Sequence, residues 1–248
     1  MRATDLLLFV VLLIYAPALA QEPPTPADRL GTALALQTER GLDAVRSLAV
    51  LAEDDDPWVR RTAILALGER REPAQERRAA AQALLGPLMA SDAETRETAT
   101  IAAGQLGATE LLTPLADRLE DADPRVAYHA IGSLQVLGDP SALAPLAAVL
   151  SRDDPALRQR ALIATAALGQ VATPGDALHA AAVAVAALAQ DNDGGLALRQ
   201  HAILTLGALT DPVALAALVE LTESTDPTLA AQAKDALLRS ARQPEEPR

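Results

Sequence analysis

The chain has 248 residues, half of them hydrophobic but only 2% aromatic, with no cysteine and a formal net charge of −12. Its core must be built from Ala, Leu, Val and Ile, the composition of closely packed helices. The missing cysteine excludes disulfides, thiol nucleophiles, cysteinyl metal sites and lipid attachment at a processed amino-terminal cysteine, and the acidic balance repels nucleic acid and anionic membrane surfaces.

Residues 1–20 read as a secretory signal: a short start with Arg2, an apolar run over 6–15, then Pro17 and the small-residue pattern Ala18-Leu19-Ala20. The expected cleavage follows Ala20; an uncleaved anchor is the alternative, although the run falls short of the roughly 20 apolar residues of a membrane span. A polar, disordered leader over 21–25 and a disordered tail over 242–248 flank the folded part, expected over 26–241. Cleavage implies an exported protein, periplasmic or secreted, with no stable membrane insertion.

One phrase then recurs along the chain: Asp, often Pro, an apolar residue, Arg, two polar residues, Ala. Six copies end on Ala63, Ala99, Ala130, Ala161, Ala202 and Ala233, spaced by 36, 31, 31, 41 and 31 residues. A base period of 31 with two insertions predicts a repeat architecture. In each copy the Asp caps a first helix, Pro takes its first position, and the Ala lets a neighbouring backbone approach. Gly68, Gly107, Gly138, Gly169 and Gly207 stand where those helices are expected to stop in the left-handed conformation. Second helices follow, with core stripes such as Leu112, Leu115 and Leu119, or Leu143, Leu146 and Leu150. Upstream, 26–39 and 42–54 read as a further, degenerate pair, and a helix over 226–241 closes the other end. Two antiparallel helices cannot close a core alone, so the expected fold is all-α: an α-solenoid of about six two-helix repeats, a superhelix of the HEAT-like or armadillo type.

Asp123-Pro124-Arg125-Val126, Leu137-Gly138-Asp139-Pro140, and Leu206-Gly207 with Asp211-Pro212 resemble the HEAT-like repeats of phycobilisome lyases. The resemblance covers roughly residues 26–241. It implies the fold and, as one functional alternative, a lyase-like or enzyme-accessory subunit that positions a substrate protein; fold analogy alone assigns no activity.

Catalytic signatures are missing from the sequence. Deoxyhypusine hydroxylases of this architecture carry paired His-Glu dipeptides, whereas none of His129, His179 and His201 is followed by Glu. No nucleophile elbow, phosphate loop or zinc-protease helix occurs, and Asp191-Asn192-Asp193-Gly194-Gly195 does not follow the calcium-loop pattern. No cofactor and no metal are therefore expected. His129 and His201 share a phase with Thr62, Thr98, Arg160 and Gln232, read as a solvated row. Arg60, Arg96 and Arg158 each follow a helix-start Asp by four residues, which points to a structural ladder of ion pairs, joined by Arg199, and not to an anion site.

Two features exceed what a fold needs. Trp58, the sole tryptophan, sits just inside a helix start, and Tyr128 is a second aromatic on an exposed phase; exposed aromatics anchor partners, and the alternative for Trp58 is packing on the amino-terminal pair. The helix over 177–190 is apolar around its circumference, so that with Leu178, Ala181, Ala182, Val185 and Leu188 inward, His179, Val183, Ala184 and Ala187 form an outward stripe. The sequence thus points to a non-catalytic scaffold that binds a protein outside the cytoplasm. Ala130→Leu should overpack such a fold, and Ala127→Leu, on the phase read as exposed, should be tolerated.

Overall fold

The structure is a computed structural model that describes residues 23–191 and 195–240. The predicted signal and tail lie outside the described residues.

Thirteen α-helices and no strand occur among the described residues: α1 (Pro26–Thr38), α2 (Leu42–Leu51), α3 (Pro57–Gly68), α4 (Ala74–Leu88), α5 (Ala93–Leu106), α6 (Leu112–Asp117), α7 (Pro124–Leu137), α8 (Leu143–Leu150), α9 (Pro155–Gly169), α10 (Asp176–Gln190), α11 (Leu196–Leu206), α12 (Pro212–Leu221) and α13 (Pro227–Ser240). Odd-numbered helices pack on one another in sequence and form a first layer. Even-numbered helices form the second, each lying against the odd helix that follows it. Six helix pairs and a closing α13 result, the predicted α-solenoid.

The repeated phrase has the predicted local chemistry at the helix starts. Asp56, Asp92, Asp123, Asp154 and Asp226 accept backbone N–H bonds from the first turns of α3, α5, α7, α9 and α13. Pro57, Pro124, Pro155 and Pro227 occupy first helical positions, where no amide partner is needed. Thr25 and Asp28 close a reciprocal capping box on α1. At α11 the phrase has decayed and Gly195 caps without a side-chain bond.

All six phrase alanines, from Ala63 to Ala233, are fully buried. They lie in one continuous core with the leucine stripes of the second layer. The helix-end glycines divide into two groups. Gly107 and Gly138 take the left-handed conformation (φ +67° and +72°), as expected. Gly68, Gly169 and Gly207 do not. A Cβ at Gly68 would stand 2.9 Å from the Ala102 backbone, one at Gly169 2.3 Å from Leu209 Cδ2, and one at Gly207 3.1 Å from Ala236 Cβ. Gly68 and Gly207 thus serve close helix approach, and Gly169 admits the Leu209 side chain from the connection between α11 and α12.

Two further expectations are corrected. Ala127, read as exposed, is 99% buried in the core, because α7 is covered on both flanks by α5 and α9 as well as by the second layer. The row read as solvated lies in the seams between first-layer helices. Thr98 is buried and returns its hydroxyl to Glu94 O, while His129 is half-buried beside Glu97 at 3.2 Å.

Candidate functional site

The arginine ladder is structural, but it is wired differently from an i,i+4 pairing. Each helix-start Asp caps its own helix, Asp92 standing also 3.9 Å from Arg60 of the preceding repeat, and the guanidiniums reach beyond the Asp four residues before them. Arg96 donates to Ala90 O and Ser91 O of the preceding loop, at 2.9 and 2.8 Å, and grips Asp121 of the next repeat with two 2.8 Å bonds. Arg29 does the same with Pro24 O and Asp54. Arg60 holds Asp54 O and reaches Thr95 of the next repeat; Arg158 bonds Arg152 O and Arg199 bonds Ala189 O. Hydrogen bonds from Arg29 and Arg96 hold the carboxyls of Asp54 and Asp121 below the usual range. Guanidiniums committed to backbone carbonyls leave no free row to bind an anion.

Of the aromatic candidates, Trp58 is 69% exposed. Tyr128 is exposed but engaged: its ring stands edge-on to His129, and the Arg160 guanidinium lies 5.2 Å from its centroid. Both belong to the first layer, on α3 and α7, with α5 between them, so they form no joint site.

The second-layer stripe is more extensive than its sequence suggests. On α10, His179, Val183 and Ala187 face outward, whereas Ala184 is half-buried against the core. Polar bridges to α12 stand at both ends of this helix. His179 Nδ1 lies 3.3 Å from Asp211 Oδ2 at its start, and Gln190 Nε2 donates to Glu220 Oε2 at 2.8 Å at its end. Between the bridges the outward residues of α12 are Leu215, Ala216 and Val219, and those of α8 are Ala144 and Ala148. Since α10 packs on both α8 and α12, these residues make one uncharged face across three helices. Exposed residues on the remaining second-layer helices are mostly polar: Asp43, Arg46 and Ser47 on α2, Gln75, Arg78 and Gln82 on α4, Thr113 and Asp117 on α6, with Leu42 and Val50 at the two ends of α2 and Ala74 and Gly86 on α4 as the exceptions.

A groove borders this face. The helix α6 is only six residues long and meets α8 chiefly through the 3-10 turn Arg118–Glu120. The gap left there, about 340 Å³, is lined by Ala116, Leu119, Pro145, Ala148 and Val149, with Glu120 and Arg152 at its mouth. A second groove of about 530 Å³ lies between the starts of α9 and α11. Its lining is more polar, and its arginine, Arg158, is already bound to a carbonyl.

Sequence reasoning missed Ala144, Ala148, Leu215 and Val219. The signal was available, because in α8 and α12 these residues occupy positions between the core leucines, as Val183 and Ala187 do in α10. No group of three His, Asp or Glu residues among the described residues is arranged to hold a metal ion, and no described helix is long and apolar enough to cross a membrane.

Comparison with known proteins agrees with this geometry. Residues 81–166 match the family of HEAT repeats. The fold resembles an archaeal HEAT-like repeats protein from Thermococcus onnurineus NA1, with 16% identity and a TM-score of 0.54 over 89% of this chain and 98% of that one. It also resembles a designed armadillo repeat protein solved in complex with the peptide (KR)4, with 16% identity and a TM-score of 0.56 over 79% of this chain and 99% of that one. No curated protein matches the chain significantly in sequence. At these identities the likeness is one of fold.

Proposed function

We propose that the chain is a non-catalytic protein-binding scaffold acting outside the cytoplasm, and that it holds its partner on the outward face of α8, α10 and α12. One observation carries the reading. A half-buried helix layer favours polar residues on its solvent side, and α2, α4 and α6 carry a polar residue at most of their exposed positions, yet between the two polar bridges the outward residues of α8, α10 and α12 are Ala, Val and Leu throughout. Contiguous apolar surface of that kind marks an interaction site. A repeat solenoid suits the role because its layers are rigid and its surface extended, and the designed armadillo protein of similar fold was solved with a peptide bound. The export reading rests on residues 1–20.

The accessory-subunit alternative, in which the chain resembles the phycobilisome lyases and presents a substrate protein to an enzyme, would use the same face. A photo-crosslinker at Ala187, in protein expressed in its own host, tests the site. Amine chemistry is unsuitable because Lys234 is the sole lysine. A discrete adduct from Ala187, with none from Gln159 on the first layer, is the expected outcome. A stable one-to-one complex supports the scaffold; a transient adduct that also contains an enzyme supports the accessory role. Capture at Trp58 alone would move the site to the first layer.

A further inference from the structure

We infer that the partner of the α8–α10–α12 face is a basic amphipathic helix that lays large apolar side chains on the alanine surface and sets Lys or Arg along one edge of it. The inference rests on the docking reading above and adds the chemistry of the occupant.

The first argument is charge. At the C-terminal ends of the second-layer helices, the apolar face runs into an edge that carries Glu120, Asp153, Glu220 and Glu223, all exposed, and the Asp153 side chain is wholly in solvent. The arginines nearby are turned inward. Arg118 donates to Leu88 O, Arg152 to Leu119 O, and Arg158 to Arg152 O, each closing the end of a helix or loop. Arg158 also stands 3.9 Å from Asp153, and Arg118 3.7 Å from the buried Asp121. The edge therefore presents Glu120, Glu220 and Glu223 with Asp153, while its cations are held inward by carbonyls. A complementary surface is basic on that side, and opposed charges steer and orient such an encounter.

The second argument is relief. Ala144, Ala148, Ala180, Ala187 and Ala216 keep the face shallow, and the groove between α6 and α8 is a recess of about 340 Å³. Small side chains accommodate large ones, so the partner supplies Leu, Phe or Met, with one of them in the groove. Helix axes pack about 10 Å apart, so the face spans about 20 Å from α8 to α12, and a helix of about 14 residues crosses it. A second copy of this chain fits poorly. With a net charge of −12 and one lysine, it would set an acidic edge against an acidic edge.

Two synthetic helical peptides with the same leucine stripe, one carrying Lys and the other Glu on the polar flank, decide the matter by fluorescence anisotropy on the full mature chain. The Lys peptide should bind, weaken as salt is raised, and lose about tenfold in affinity on the charge reversal Glu120→Lys/Asp153→Lys/Glu220→Lys. The Glu peptide should bind detectably only to that reversed variant. Ala187→Glu should weaken the Lys peptide as well, and the reversal Glu69→Lys, away from the face, should not. All substituted positions are exposed, and an unchanged unfolding midpoint certifies each variant. Equal binding of both peptides, or binding of neither, overturns the inference. If a partner is nevertheless crosslinked at Ala187, the docking face stands and its occupant is not basic. If Ala187 captures nothing, the docking reading falls with it.

Discussion

Burial of the six phrase alanines makes their size the quantity that holds neighbouring repeats together. Ala130 is wholly buried among first-layer helices, so Ala130→Leu adds three carbons where no space exists and should cost about 1 to 3 kcal/mol. The matched exposed position is Ala156, at the start of α9, not Ala127, which is in the core. Ala156→Leu should cost less than about 0.5 kcal/mol. Equal urea midpoints for the two variants would sink the packing account. The ion pairs allow a second test at the same scale. Asp54 and Asp121 are held below the usual carboxylate range in the folded state, chiefly by Arg29 and Arg96. Their contribution is thus complete above the unfolded value near 3.9 and is lost as pH falls through the lower folded values. Stability should decline on acidification below about pH 4. Arg96→Ala should cost about 2 to 3 kcal/mol at neutral pH, because Asp121 keeps its burial and loses its bidentate partner. The same variant should flatten the acid limb of a chemical-denaturation series, and an unaltered limb would assign the acid sensitivity to other groups.

At the level of the helix, starts were legible and ends only partly so. A start is written in residue identity, Asp followed by Pro, because capping is a local event between a side chain and the next two or three amides. Asp123→Ala should therefore remove about 1 kcal/mol from α7 without altering the chain path, as read by thermal melts. An end is written in Gly, which has two uses, and the sequence does not distinguish them. Gly107 and Gly138 terminate helices by conformation, whereas Gly68, Gly169 and Gly207 admit a neighbour. Ala substitution separates the two groups. Gly107→Ala has open space for its Cβ and suffers only the left-handed backbone, about 1 kcal/mol. Gly68→Ala meets the Ala102 backbone at 2.9 Å and should cost more, about 2 to 3 kcal/mol. A reversed order in denaturation midpoints would contradict the division.

On the scale of the molecule, the repeat period carried the α-solenoid and the layering, because a period of 31 residues admits few other packings. The proposed docking face was legible only on α10, where Ala and Val run without interruption. On α8 and α12 the same outward positions are short, ordinary stretches of Ala, Leu and Val, and only the contacts of α10 with both neighbours join them into one surface. Arg70 was likewise overlooked. It lies outside the repeated phrase, yet it is fully buried and donates to Leu36 O and Glu39 O at the end of α1. Its Nη1 lies 4.0 Å from Glu76 Oε2, and Glu76 Oε1 accepts from Gly41 N at 2.9 Å. This side chain adds a buried polar tie to the helix packing that joins the amino-terminal pair to the repeats that follow. In a solenoid each unit touches only its neighbours, so stability is a sum of local terms and an end unit can open alone. Arg70→Met strands a buried carboxylate and two helix-end carbonyls, a loss of about 3 to 5 kcal/mol from the end unit. Hydrogen exchange should accelerate in α1 and α2 alone, and trypsin should gain access to Arg40 and Arg46 while α5 to α13 stay protected. Loss of protection along the whole chain at once would mean that the array unfolds as a single unit, with Arg70 a general core residue and not the clasp of its first repeat.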